Sequence, residues 1–273
     1  MSSIWNTLFY YPLINAIIGL YRLTQDLGLS IILLTVSLRL IMTPLVIPSL
    51  RLSKKMQELA PELAKLKEQF KDNKQGLVAA QTALYQKHGA NPASGCLPQI
   101  LQLVVLFALF KVFTSVLSAN GTEFISNMNS ILYPFNQLPA DFQFSTNFIG
   151  IDLSKQNLIN LPGLPFGIPG VLVFLAAGIQ LVSSVMMMPA VKKEAIIAQK
   201  TEKSSDDVMA GFQQQSLYLF PLMTLVFGYS MSAGLMLYWM FFSLISIVQQ
   251  YFILGWGGLT PWLTRLGLLK SRN

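Results

Sequence analysis

Apolar and polar positions in this 273-residue chain fall into long blocks rather than alternating. Five blocks approach the roughly 20 apolar residues a helix needs to cross a bilayer. They are Gly28–Pro48, Leu97–Leu117, Phe166–Met188, Gln214–Tyr229 and Ala233–Leu254. The fourth is short and meets the fifth through YSMSAG, which predicts a tight helical hairpin. Residues 4–21 mix aromatics with Asn6, Pro12 and Asn15 and are followed by Arg22 and Asp26. That pattern predicts an amphipathic helix lying at the membrane interface, with a sixth span as the alternative.

Between the first two blocks, Leu52, Met56, Leu59, Leu63, Leu66 and Phe70 recur at spacings of four and three. This is a helical seam with charge on its other faces. Pro61 is expected to end the extension of span one and start a new helix. KDNKQG (71–76) reads as a turn, and Leu77, Ala80, Leu84 and His88 give a second stripe, closed by Gly89 and Asn91-Pro92. The pattern predicts two antiparallel helices. A segment of this length is long for a mere connector, so a binding role stands beside a purely linking one.

Charge supplies the orientation. Residues 49–95 carry eight Lys and Arg, the loop after span three carries four, and the tail carries Arg265, Lys270 and Arg272. The opposite loops hold only Arg22 and Lys155. By the positive-inside rule the N-terminus faces out and the C-terminus faces the cytosol, a parity that five spans satisfy. The expected boundaries are 1–26 for the extracytosolic interfacial helix, 27–50 for the first span and 51–95 for the cytosolic hairpin. They continue with 96–118 for the second span, 119–165 for an extracytosolic segment and 166–189 for the third span. The last are 190–212 for a cytosolic loop, 213–230 and 232–255 for the fourth and fifth spans, and 256–273 for a cytosolic tail.

Composition agrees with this placement. The chain is 53% hydrophobic and only 11% charged, with mean hydropathy +0.52 and net charge +7. Soluble domains carry about 25% charged residues, so a soluble enzyme, a disordered chain and a secreted disulfide scaffold are all excluded. One cysteine, Cys96, and one histidine, His88, cannot make a disulfide or a Cys/His metal cluster. No basic start or small-residue cleavage site marks a signal peptide, and Cys96 lies too far along to be a lipid-modified N-terminal cysteine. The chain is therefore expected to be complete and self-inserting.

The chemically unusual residue is Arg39, near the middle of the first span. A cation at that depth costs roughly 2.5–3.5 kcal/mol on insertion scales. It lies about ten residues from either end, ~15 Å of helix, which is beyond snorkelling. No Asp or Glu lies in any of the five blocks, so a hydrated cavity is the expected explanation. Thr35 and Thr43 flank Arg39 by one turn. Gln99 and Gln102 open span two, span three carries Gln180, Ser183 and Ser184, and Trp239, Ser243, Ser246 and Gln250 form a stripe on span five. Singly such groups glue helices together. Together, beside Arg39, they predict a shared polar groove. Lys111, near the outer end of span two, has no assigned role.

These residues also resemble a known family. The run Ser37–Gln102, including NPASGCLP, is similar to the first span, hairpin and second span of the YidC family of membrane protein insertases, relatives of the mitochondrial Oxa and chloroplast Alb proteins. FIGIDLSKQNLI (148–159) and SAGLMLYWMFFSLISIVQQYFI (232–253) are similar to its other recurrent stretches, and the likeness covers residues 5–254. The resemblance implies an all-α membrane protein, a five-transmembrane-helix bundle around a groove open to cytosol and lipid, with a mobile cytosolic hairpin. Arg39 matches the groove arginine, Thr35 the groove threonine, Gln102 the groove glutamine and Trp239 an aromatic of the last span. Thr43, Gln99, Ser183 and Ser246 are added as groove candidates from the residues themselves. Implied partners are nascent membrane proteins, the lipid bilayer, the Sec translocon, the ribosome and the signal recognition particle system, with no direct nucleic-acid recognition. The implied location is the bacterial plasma membrane, and insertion is expected with or without Sec.

Departures are also legible. Some relatives carry a large extracytosolic domain where this chain has about 25 residues. The short, weakly basic tail puts ribosome binding through it in doubt. The chain contains no GxxxxGK[ST] loop, so no nucleotide or other cofactor is expected, and no enzyme activity. A solute transporter or channel is the rival reading, though no internal repeat is evident. An intramembrane protease lacks its catalytic residues, and a scaffold leaves the cost of Arg39 unexplained.

Overall fold

A computed structural model describes residues 2–71, 73–90, 97–117, 122–163, 165, 167–188 and 219–269. The chain is mostly helical. Helix α1 (Ser2–Trp5) passes through a π turn (Asn6–Tyr10) into α2 (Tyr11–Thr24), followed by α3 (Leu27–Gln69), α4 (Lys74–Lys87), α5 (Leu97–Leu117) and α6 (Thr122–Asn129). Then come α7 (Val171–Met187), α8 (Leu219–Gly228), α9 (Ala233–Leu254) and α10 (Thr260–Arg265). Two small antiparallel pairs precede α7: β1 (Asn147–Phe148) with β2 (Ile151–Asp152), and β3 (Leu158–Ile159) with β4 (Ile168–Pro169). Among the described residues α3 and α9 are long and apolar enough to cross a membrane; Leu103–Val116, α7 and α8 are shorter apolar helices. The loop 190–212 and residues 213–218 lie outside the described residues.

Two elements differ from the sequence reading. Helix α3 runs without a break through Pro44, Pro48 and Pro61. Each proline removes one backbone donor and crowds the preceding turn; around Pro61 the flanking run of strong helix formers, KKMQELA and ELAKLKEQ, carries the helix past it. Helix α7 begins at Val171, five residues beyond the expected Phe166, because Ile168–Pro169 is spent on β4.

By internal packing the chain divides into two compact units. One comprises Met1–Ile41, Gln99–Gly178 and Met223–Ser243; the other comprises Met42–Pro98, Ile179–Leu222 and Leu244–Asn273.

In the first unit α2 buries Leu13, Ile14, Ile17, Ile18 and Tyr21. The segment after α6 meets it with a fully paired amide. Asn15 Nδ2 donates to the Tyr11 and Ile131 carbonyls (2.8 and 3.2 Å). Its Oδ1 accepts from Tyr133 N and Asn136 Nδ2 (2.7 and 3.3 Å). Both asparagines are buried, and the complete pairing of the Asn15 amide is what makes its burial tolerable. Tyr21 OH accepts from Ser145 N at 2.7 Å, and its ring packs edge-on against Phe142 and Phe144. Lys111 Nζ, exposed, lies 3.3 Å from Asn6 Oδ1 and 4.2 Å from the Tyr10 ring centroid.

Orphan donors at helix starts are satisfied by Asp26, between α2 and α3, and by the segment that precedes α7. Asp26 Oδ1 accepts from Leu29 N (2.8 Å) at α3. Asn157 accepts from Gly170 N through its carbonyl (2.7 Å) and from Leu172 N through Oδ1 (3.1 Å) at α7. The Lys155 and Leu153 carbonyls accept from Ala233 N and Gly234 N (2.7 and 2.9 Å) at α9.

In the second unit α4 begins at Asn73, whose side chain accepts from Gly76 N at 2.9 Å, the expected N-cap chemistry. Its far end is tied to α3: Lys55 Nζ donates to the His88 and Gly89 carbonyls (3.3 and 3.4 Å), and His88 Nε2 lies 4.0 Å from Glu62. Gln57 Nε2 donates to the Met186 and Met187 carbonyls, 3.2 Å each, covering orphan acceptors at the end of α7.

Candidate functional site

Arg39 lies in the first unit, thirteen positions into α3, and is 7% exposed. Its guanidinium carbon stands 3.6 Å from the centroid of the Phe242 ring, and Nη2 donates to the Phe242 carbonyl at 3.3 Å. One residue of α9 thus offers the cation both a π face and a carbonyl oxygen. A desolvated cation over a ring gains about 2 kcal/mol, which offsets part of the insertion cost. Phe242 escapes sequence reasoning because charge patterning points only to carboxylates as partners. Aromatic faces and backbone carbonyls carry no such signature.

Thr35 is 1% exposed and its Oγ1 donates to the Ile31 carbonyl one turn back at 2.6 Å, a hydrogen bond made within the helix. Tyr238 is buried and packs between the rings of Phe113 and Phe242, at 5.8 Å from each. The Trp239 indole nitrogen is buried without a hydrogen-bond partner among the described residues. An orphaned buried donor costs roughly 1–3 kcal/mol and calls for a reason. Gln99 and Gln102 belong to α5, but their side chains lie outside the described residues.

Thr43, Ser183 and Ser246 belong to the second unit. There Gln249 Nε2 donates to Thr43 Oγ1 at 2.8 Å and Gln250 Nε2 donates to Ser183 Oγ at 3.0 Å. Ser183, Ser246 and Gln250 are all buried. The eight candidates therefore do not form one cluster within either unit. Arg39, Thr35 and Trp239 share the first unit, and the second holds a seam of amide–hydroxyl pairs. Gln249, the residue that engages Thr43, is one of the polar residues of span five but lies off the 239–243–246–250 stripe.

The sequence matches the family described as 60Kd inner membrane protein over residues 19–256. It is 31% identical to the membrane protein insertase YidC of Fusobacterium nucleatum across 93% of this chain and 98% of that one. It is 31% identical to the membrane protein insertase MisCA of Bacillus subtilis across 92% of this chain and 79% of that one. Against the YidC of Syntrophobacter fumaroxidans identity is 28% across 91% of this chain, which spans only 38% of that longer protein. A match of this extent, in one order from the end of α2 to the turn after α9, shows that the chain belongs to the 60Kd inner membrane protein family, the family of the YidC and MisCA insertases.

Proposed function

We propose that the chain is a membrane protein insertase of the bacterial plasma membrane, which inserts integral membrane proteins and helps them fold. The observation that carries this reading is the near end-to-end likeness to a relative that is itself named an insertase. The buried guanidinium of Arg39 supports the mechanism. Five spans are assigned, with the N-terminus outside and the C-terminus in the cytosol, in keeping with the Lys and Arg bias of the loops.

A substrate's polar tail must cross hydrocarbon, where an Asp at mid-depth costs roughly 2.5–3.5 kcal/mol. In this reading Thr35, Arg39, Gln102 and Trp239 line a hydrophilic groove that shortens the apolar path. Arg39 leaves the Phe242 ring to attract acidic groups of the tail, and returns when they have passed. Exchange is favourable because a carboxylate makes a charge-assisted pair that ring and carbonyl do not match. The substrate's own helix then enters lipid, gaining ~0.3–0.6 kcal/mol per central Leu, Ile, Phe or Val. The membrane potential adds about 2.3 kcal/mol per charge per 100 mV for an acidic tail moving outwards. Thr43, Ser183 and Ser246 are assigned to pairing of helices rather than to the groove. The ribosome, the signal recognition particle system and the Sec translocon are proposed partners, and Sec is not required for every substrate.

The test is reconstitution into liposomes with a single-span substrate bearing an acidic N-terminal tail, scored by protection of that tail from external protease. Wild-type protein is expected to protect the tail, Arg39→Lys in part, and Arg39→Ala least. Equal protection by all three removes Arg39 from the mechanism. Solute flux without polypeptide insertion would replace the insertase reading by that of a transporter.

A further inference from the structure

Beyond α9 the chain does not run off as a solvated tail. Gly255 and Gly257 adopt φ of +65° and +48°, left-handed values that bend the backbone out of the α9 axis at little cost only for glycine. A Cβ at Gly257 would overlap the Met186 carbonyl, so the bend lies directly on the end of α7. It roots the following 3₁₀ turn (Gly257–Leu259) and α10 at the level where α7 and α9 both finish.

Past the bend, the chain is apolar on its outer side. Trp262, Leu266 and Leu268 are 67%, 72% and 69% exposed. Helical spacing places Trp262, Leu263 and Leu266 on one side of α10 and Thr260 and Thr264 on the other; Thr264 Oγ1 donates to the Thr260 carbonyl at 2.8 Å. This face continues the exposed apolar side of α9, where Val248, Tyr251 and Phe252 are 50%, 44% and 80% exposed. Tyr251 joins the two, its ring 4.8 Å from that of Trp256. Tyr and Trp gathered at the end of a span mark headgroup depth. Arg265 flanks the apolar face, and the sequence continues with Lys270 and Arg272.

We propose that residues 256–268 form an interfacial anchor that lies in the membrane surface beside the end of α9, with Trp262 and Leu266 in the acyl boundary and Arg265 among anionic phospholipid headgroups. The occupant of the exposed face is lipid, because that face continues the face α9 turns towards lipid and carries basic charge at its edge. The proposal rests on α9 crossing the membrane.

The test uses the full chain with Cys96→Ser, carrying single spin-labelled cysteines in turn as Phe252→Cys, Trp262→Cys, Thr264→Cys and Leu266→Cys. Each is placed in vesicles of phosphatidylethanolamine and phosphatidylglycerol. Collision with oxygen reports lipid and collision with a water-soluble nickel chelate reports solvent. The oxygen-to-nickel ratio is expected to be several-fold higher at 262 and 266 than at 264, and high at 252. A ratio at 266 as low as at 264, with 252 still in lipid, overturns the anchor alone. Weak collision of 266 with both reagents also overturns it, by showing a protein on that face. A nickel-accessible 252 overturns the crossing of α9 and the anchor with it. Arg265→Glu is expected to lower the ratio at 266 in phosphatidylglycerol vesicles and not in phosphatidylcholine alone; no change in the former removes the anionic headgroup from the proposal.

Discussion

The two units give polar groups in apolar helices different partners, and each leaves a buried polar atom without a hydrogen bond among the described residues, Trp239 Nε1 in the first and Gln250 Oε1 in the second. In the second, amides meet hydroxyls: Gln249 with Thr43 and Gln250 with Ser183, at 2.8 and 3.0 Å. Such pairs hold helices together and are spoiled if one member leaves. In the first, Arg39 rests on the ring and carbonyl of Phe242, Thr35 bonds within its own turn, and the Trp239 indole has no hydrogen-bond partner among the described residues. The dense polar pairing of that unit lies outside the apolar helices, around Asn15, Asn136 and Asp152. In the proposed reading the amide–hydroxyl pairs serve stability and Arg39 serves transfer, so the two are expected to be altered separately.

The largest expected effect comes from Arg39→Ala. Insertion of an acidic-tailed substrate should fall on the order of tenfold, since forfeiting even half of a ~2.5–3.5 kcal/mol relief reaches that size. The melting temperature in lipid should fall little, because the substitution removes the buried charge itself and leaves only the Phe242 ring and carbonyl, with no stranded ion. Collapse of both together would make Arg39 a structural residue and erase the contrast. Ser183→Ala should do the reverse. It strips Gln250 of its acceptor and costs roughly 1–3 kcal/mol of stability, with insertion per folded molecule unchanged. Loss of insertion without loss of stability would move the seam into the transport path.

A smaller effect sharpens the extramembrane side. Ile149 is 84% exposed at φ +48° in the two-residue turn between β1 and β2, next to Gly150 at φ +77°. A β-branched residue is strained there, whereas Asn tolerates it. Ile149→Asn should raise thermal stability by about 1 kcal/mol and leave insertion alone.

The smallest effect is one of pH. Asp152 accepts from Ser154 Oγ (2.6 Å), Thr146 Oγ1 (2.9 Å) and Ser154 N (3.1 Å), and pairs with Lys155 at 2.9 Å. The Ser154 hydroxyl first, and Lys155 next, hold its carboxyl well below the usual carboxylate range against the opposing effect of burial. Because the folded value is depressed, the contribution is fully present above the unfolded value of about 3.9 and shrinks as pH falls below it. The stability gap between wild type and Asp152→Asn should be flat from neutral pH to about 5 and close on further acidification. A gap that widens in acid would contradict these contacts.

Long apolar runs are legible because hydrocarbon demands them: α3 and α9 can be read directly from hydropathy, and Arg39 stands out for its cost. Pro61 misleads because its local preference is outvoted by the strong helix formers on either side of it. Phe242 is illegible as a cation partner because any phenylalanine in a span reads as lipid-facing or core. The stretch 122–163 yields little in advance because it is built from caps, bends and two-residue strands. Its order comes from bonds such as Asn15 to Ile131, which are remote in sequence and have no periodicity. The tail shows the same limit: its basic residues are countable, but the glycine bend that lays Trp262 beside the span end is a matter of backbone sign.

The helix-start bonds of the first unit have a mechanical corollary. The acceptors for α7 and α9, from Leu153 to Asn157, lie on one continuous strap of five residues. Four peptide steps reach at most ~14 Å, so these two helices cannot splay at that end while the strap holds. Towards their other ends the same two helices are tied again by Gln250 to Ser183 at 3.0 Å, so the strap and that pair clamp them as two rivets hold a pair of bars.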